Sequence, residues 1–232
     1  MASLTGTVTP ITSSSTTFSQ AITVPADTEV FGLGIAFYQN ASELPSALTL
    51  GGNALTQSVV HTDVDGEMTG QWRLPNPPTG SQTLAVTWAS ALEEGAHYFP
   101  FFVIDVDESN PVRGTGSAGN GGSTETTGAI TTAVDDIVVA VGGSFGSTDC
   151  NLSATAGANQ TEVADTNEFQ TISAALGTKP GVSGTTTFTC GGAFVSLCAV
   201  SFRHQAAGGG GSGLDVPRNL RALTAVNRAA NF

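Results

Sequence analysis

Along most of this chain, apolar residues recur at alternate positions in short runs, separated by clusters of Gly, Pro, Asn and Asp. That period places alternate side chains on one face of a strand, and the clusters supply the turns between strands. The pattern predicts an all-β fold, an antiparallel β-sandwich. Thr17–Val24 sets Phe18, Ala21 and Ile22 among polar residues and stops at Pro25. Val30–Tyr38 (VFGLGIAFY) is apolar enough for a central strand. Its Gly32 and Gly34 lie two apart and share a face, where a large ring or another backbone is expected to approach closely.

Leu48–Val60 (LTLGGNALTQSVV) reads as a hairpin turned at Gly51, Gly52 and Asn53, residues that accept the positive φ angles of a tight primed turn. Met68–Leu74 and Gln82–Trp88 read as a second pair joined through NPPTGS. Pro77 and Pro78 stay out of the ladder there, and Gly80 turns the chain. In the latter strand Leu84, Val86 and Trp88 point one way, and Thr83, Ala85 and Thr87 the other. His97–Val106 (HYFPFFVIDV) is the most hydrophobic run and is expected in the core, with Pro100 marking an edge or a bulge. The stretch from Ser109 to Gly128 has no period and predicts a long Gly-rich loop, with residues 113–128 projecting outward. Ile130–Gly142, Glu168–Ala174, Gly184–Cys190 and Ala193–Arg203 complete the strands. The last two are read as a hairpin about Gly191 and Gly192, residues 144–161 as loop, and no amphipathic helix is predicted before residue 214.

A chain of 232 residues suffices for one large sandwich or two small ones. Hydrophobic residues make up 40% and charged residues 11%, a balance that excludes disorder and puts Ser and Thr on the outward strand faces. The formal charge of -12 argues against nucleic acid and anionic membrane as partners of the body, since both are met through Lys and Arg. The three cysteines, Cys150, Cys190 and Cys198, are an odd set. They are expected as buried, inert thiols, with one disulfide as the alternative. The N-terminus has neither a basic start nor a signal-length apolar run, and no window approaches the roughly 20 apolar residues of a membrane span. The expectation is a protein that stays where it is made, with its Asn-x-Ser/Thr tripeptides at Asn40, Asn151 and Asn159 arising by chance.

At Ala206 the composition changes to AAGGGGSG, a flexible linker, followed by LDVPRNLRALTAVNRAANF. This segment carries three of the seven basic residues, and its leucines fall at near-helical spacing after Asp215 and Pro217. The chain therefore divides into a sandwich body, residues 1–205, and a Gly-rich hinge with a C-terminal docking arm, residues 206–232, extended or short-helical. Arg218, Leu220, Arg221, Leu223, Arg228 and Phe232 are the candidate partner-binding residues, clasping an acidic neighbouring subunit.

Gly142-Gly143-Ser144-Phe145-Gly146 matches the nucleophile pattern of esterases, and Asp149 or Asp165 and His204 follow in workable order. The residues after it make no convincing helix and no βαβ alternation surrounds it, so no enzyme is expected. Asp63, Asp65 and Glu67, and Asp105, Asp107 and Glu108, form acidic clusters that read as solvated turns rather than calcium loops. His61, His97 and His204 are isolated, and no metal or other cofactor is expected. Trp72, Trp88, Tyr38 and Tyr98 could stack on sugar rings, although each lies in a strand pattern where core packing is the commoner role.

The run from LTLGGNALTQ through QWRLPNPPTGSQTLAVTW, continued by VDDIVVAVGG and TTTFTCGGAFVSLCAVSF, resembles the strand and turn pattern of phage virion proteins and related bacterial surface modules. The resemblance spans roughly residues 30 to 203 and lies in strand pattern and turn chemistry, not in catalytic residues. It implies a jelly-roll-like sandwich on a virus particle, as head decoration, collar or tail component. Such a protein would assemble in the host cytoplasm as a symmetric oligomer, most simply a trimer, bound to other virion proteins. The alternative is a carbohydrate-binding or adhesive module of a tail fibre or cell surface, with a glycan as partner.

Overall fold

A computed structural model describes residues 1–38, 43–62, 66–120, 122–146, 149–153, 155, 157–169 and 172–205. The proposed arm with Arg218, Leu220, Arg221, Leu223, Arg228 and Phe232 lies outside the described residues, as do Asp63 and Asp65. Among the described residues the chain is all-β, with strands and no helix. The first half holds β1 (Ser3–Thr5), β2 (Ile11–Ser13), β3 (Thr17–Val24), β4 (Val30–Tyr38), β5 (Pro45–Leu50), β6 (Asn53–Ala54), β7 (Thr56–Thr62), β8 (Glu67–Pro75), β9 (Gly80–Trp88) and β10 (Ala96–Ile104). The second holds β11 (Val112–Gly119), β12 (Thr124–Thr126), β13 (Ile130–Thr132), β14 (Ile137–Phe145), β15 (Thr161–Phe169), β16 (Ile172–Pro180), β17 (Gly184–Thr186), β18 (Thr189–Gly191) and β19 (Val195–Phe202).

These strands build stacked antiparallel layers. The inner sheet of the first half runs β1-β10-β4-β8-β7, with β2 also on β10, and β3-β9-β5-β6 covers its outer face. The inner sheet of the second half runs β11-β19-β14-β16-β15, covered by the pairs β12-β18 and β13-β17. Phe31, Leu33, Ile35 and Phe37 of β4 point into the first half's own sandwich with Leu84, Val86 and Trp88. Val30 and Ala36 point the other way, into a core shared with Val139, Val141, Val200 and Phe202 of the second half. This double covering is why VFGLGIAFY is apolar without alternation. Each fully buried Phe or Leu there contributes roughly 1.5–3 kcal/mol.

The two halves repeat one design. Both inner sheets place the half's last long strand beside its first core strand, then the third and the second. The nine-residue strands β4 and β14 correspond end to end, as do β8 and β16, which both finish on proline. A bulge interrupts β7 between Gln57 and Val59, and one interrupts β15 at the matching place, between Glu162 and Ala164. The covering layers close alike, Val24 opposite Gly80 and Thr132 opposite Gly184, and both glycines have positive φ. Phe99, Phe101 and Val103 match Cys198, Val200 and Phe202, and these equivalent faces meet in the shared core. The contact is of the self-complementary kind found in two-fold dimers. Buried Gln71 reinforces it, its Nε2 donating to Val139 O (3.0 Å) and Cys198 O (3.1 Å) across the layers.

Glycine serves close approach at Gly32, where a methyl group would sit 2.1 Å from Phe101 Cζ, so the expected ring does cover it. The bounds of Thr17–Val24 and Val30–Tyr38 agree with expectation. Ala21, however, is exposed, since Phe18 and Ile22 alternate inward with Val24. Gly51 and Gly52, with φ of 56° and 81°, make the primed turn between Leu50 and Asn53. The hairpin ends at Ala54, because the chain then crosses to the inner layer and β7 pairs with β8.

Several pairings differ from the sequence reading. Met68–Leu74 and Gln82–Trp88 are not partners: β8 pairs with β4 and β7, whereas β9 pairs with β3 and β5. β9 keeps one polar face and belongs in the outer sheet, while β8 buries Met68, Thr69, Gln71 and Trp72 and belongs in the inner one. Gly184–Cys190 and Ala193–Arg203 are not a hairpin either, since β17 and β18 pair with β13 and β12, and β19 with β14 and β11. The long loop at 113–128 is replaced by an edge strand, β11, lying along β19. Its glycines admit a crossing segment, for a methyl group at Gly114 would stand 2.7 Å from the Thr131 backbone and one at Gly116 2.7 Å from Ile130 Cγ1. Ile130–Gly142 is split by a turn in which Asp136 N donates to Ala133 O (3.2 Å). Glu168–Ala174 holds the end of β15 and the start of β16. Residues 144–161 begin in strand, as β14 runs to Phe145.

Candidate functional site

β3 is the outermost strand of the outer sheet, so among the described residues one side of its backbone ladder has no strand beside it. Its sequence, TFSQAITV, carries no charge, and Thr17, Ser19, Gln20, Ala21 and Thr23 are exposed. A groove of about 320 Å³ runs beside it, lined by Gln20, Ala21, Ile22 and Thr23 of β3, by Thr7, Thr9 and Ile11, and by Pro100 and Phe102 of β10. The groove exists because the edge of the inner sheet is broken. β10 pairs with β2 at Ala96–Tyr98 and with β1 at Phe102–Ile104, and between them sits Pro100. Proline has no N–H to offer a ladder, so the chain from Gly6 to Pro10 departs there and leaves the gap. Pro100 thus marks an edge, as its place in HYFPFFVIDV suggests.

Among the described residues no titratable side chain lines this groove. It offers threonine hydroxyls, apolar patches and the main-chain groups of an open strand. That set suits pairing with an extended segment, in which backbone hydrogen bonds hold the partner and side chains select it. The equivalent place in the second half is occupied differently, its covering layer being cut into two short pairs.

Ser144 and His204, singled out for catalysis, are not brought together. Ser144 is buried in β14, its hydroxyl donating to Ala193 O (3.0 Å) and accepting from Ala193 N (2.8 Å). An antiparallel strand replaces the strand–turn–helix that exposes a nucleophile. His204 lies beyond Phe202, which pairs with Ile137 at the other end of the same strand, and its Nδ1 is 3.0 Å from Asp105 O. Trp72, Trp88 and Tyr98, considered for sugar stacking, are core residues. Trp88 Nε1 donates to the Tyr98 hydroxyl (2.9 Å), the Trp88 ring packs edge-on to Phe37, and burial pushes the Tyr98 hydroxyl well above its ordinary range. Tyr38 is half-buried beside Phe145.

Asp107 closes a local turn, its Oδ1 accepting from Ser109 N (3.1 Å) and Asn110 N (3.3 Å). The Ser109 hydroxyl foremost holds its carboxyl below the usual range. Among the described residues no three His, Cys, Asp or Glu side chains gather as metal ligands. Sequence reasoning missed Asp136, which is buried just ahead of β14. Burial pushes its carboxyl up, but Arg113 and the backbone N–H groups of His204 and Ala133 outweigh that and leave it below its ordinary value. Glu29 stands at the matching place before β4 and accepts from Val106 N. Each acid fastens the segment that leaves its half's last long strand; the acidic turn ahead of an apolar strand is the signal both share.

No protein-family model matches the chain, and no curated protein matches it in sequence.

Proposed function

We propose that this protein is a non-enzymatic structural component of a virus (phage) particle, assembling as a symmetric oligomer, most simply a trimer, on the head or tail. The observation that carries this reading is the open, uncharged edge of β3 beside its threonine-lined groove, a surface fit to receive an extended segment of a neighbour. Charge supports it as well. Arg218, Arg221 and Arg228 in the arm are set against a chain whose net charge is -12, so arm and body of adjacent subunits attract one another. The resemblance in strand and turn pattern to virion proteins supplies the particle.

Gold-labelled antibody against the chain, applied to particles released from lysed host cells, tests the setting. Label on heads or tails is the expected result, and its absence from every particle would remove the virion reading. Deleting residues 208–232 tests the arm. The body should keep its circular dichroism spectrum while the oligomer's native mass falls; an unchanged oligomer with unchanged particle binding would sink the arm's role.

A further inference from the structure

Cys150 and Cys190 lie in different segments, and the fold brings them together. Cys190 is the middle residue of β18, and Cys150 precedes Asn151. Asn151 and Gly191 pair through two main-chain hydrogen bonds, of 2.8 and 2.9 Å. The cysteines flank that pair diagonally, and their Sγ atoms lie 3.3 Å apart, both buried. Gly142 of β14 makes the space: a methyl group there would stand 2.9 Å from Cys190 Sγ and 3.0 Å from Cys150 Sγ. The fold does not require thiols at these places, for by the shared register the first half has Ser46 and Val86 instead. Cys198 sits in the other core layer, between the halves.

We propose that Cys150 and Cys190 form a reversible oxidation site, which closes into a disulfide by exchange with a low-molecular-weight disulfide. One protein thiol loses its proton and attacks a sulfur of the small disulfide, releasing one small thiol and leaving a mixed disulfide. The second protein thiol loses its proton and displaces the other small thiol. One small disulfide is reduced to two thiols, and two protein thiols become one disulfide. The sulfurs must close from 3.3 Å to a bond of about 2.05 Å, a movement on the scale of side-chain rotation. The Cys190 thiol beside it, and then burial, push the Cys150 thiol well above its ordinary range. Thiolate is therefore scarce in the closed protein, and exchange waits on local opening of the segment that holds Cys150 and Asn151. The bond would tie that segment to β18 and pin the second half's covering layer.

The test is incubation of the purified native chain with oxidised glutathione, then denaturation, alkylation and intact-mass measurement without reductant. Two of the three thiols should escape alkylation, so the chain should carry one alkyl group instead of three and lie about 2 Da below the mass of the reduced chain with one alkyl group, for the two hydrogens removed. Peptide mapping should join Cys150 to Cys190 while Cys198 stays alkylated. Tm should rise by roughly 5–15 °C, because the bridge constrains the unfolded chain, and fall back with dithiothreitol. Cys198→Ser should behave as the parent, and Cys150→Ser should show neither bridge nor Tm shift. Three alkylatable thiols after treatment, a glutathione adduct that persists on either cysteine, or a bridge that includes Cys198 would each overturn the proposal.

Discussion

The halves of this molecule share the design of the inner sheet and part company in the layer that covers it. In the first half β3 and β9 pair continuously from Thr17 opposite Thr87 to Val24 opposite Gly80. In the second the same path is cut into β12-β18 and β13-β17, and Thr127 fills the break, exchanging bonds with Phe188 through N–H to O (2.9 Å) and N–H to hydroxyl (2.9 Å). The inner sheets meet through equivalent faces and are buried on both sides, so their register and bulges match. The covering layers face solvent, and each has its own chemistry: an open strand edge in one, a pair of thiols in the other. The layer under packing constraint is kept, and the layer free of it is where function can differ.

Separating the halves should break the arrangement most severely. Residues 1–106, expressed alone, would expose Phe99, Phe101 and Val103, and should aggregate or pair with a second copy. Co-expression with residues 107–205 should restore a one-to-one complex by size-exclusion chromatography. A stable, monomeric first half would show that the shared core is dispensable.

Next in size is an exchange at the inner sheets. The cross-strand pair Gly32 and Phe101 corresponds to Val139 and Val200 in the second half. Gly32→Val alone should cost about 1–3 kcal/mol in urea denaturation, by driving a side chain into the Phe101 ring. Adding Phe101→Val should return part of that loss, whereas independent sites would simply sum.

Arg113→Ala should cost about 1–3 kcal/mol at neutral pH, by removing the charged partner of buried Asp136. Because the folded Asp136 carboxyl lies below its ordinary value, its stabilisation is present above about pH 4 and is lost as pH falls through the folded value. The variant's acid unfolding should therefore begin at higher pH, as followed by denaturant midpoints across the acid range. The smallest effect on stability belongs to Ala21→Lys, an exposed position on β3. It should change stability by no more than about 0.5 kcal/mol, yet reduce the oligomer's native mass by charging the open edge. An intact oligomer would move the assembly surface away from this strand.

What could be read from the residues in order was local. Alternation places Leu84, Val86 and Trp88 on one face of their strand, the Gly51-Gly52 dipeptide turns the chain, and Pro100 interrupts a ladder, because each depends on backbone geometry within a few residues. The same locality misled at Gly114 and Gly116, where glycines that admit a crossing strand read as a loop. The open edge of β3 was not legible, since an edge is defined by which strand lies on the other side. Nor was the meeting of Cys150 and Cys190, which depends on the Asn151–Gly191 bridge.

The repeat is not legible in the residues for a related reason. A buried position asks only for apolar volume that fits, so Gly32 with Phe101 and Val139 with Val200 fill equivalent places without resembling one another. Hydrogen-bond register survived where side chains did not. The sequence by itself determined where the strands with a clear side-chain period run and which of their faces are apolar, because those follow from that period. Only the tertiary structure decided which strands pair, which layer each joins and how the two halves meet, because those choices belong to surfaces assembled from distant parts of the chain.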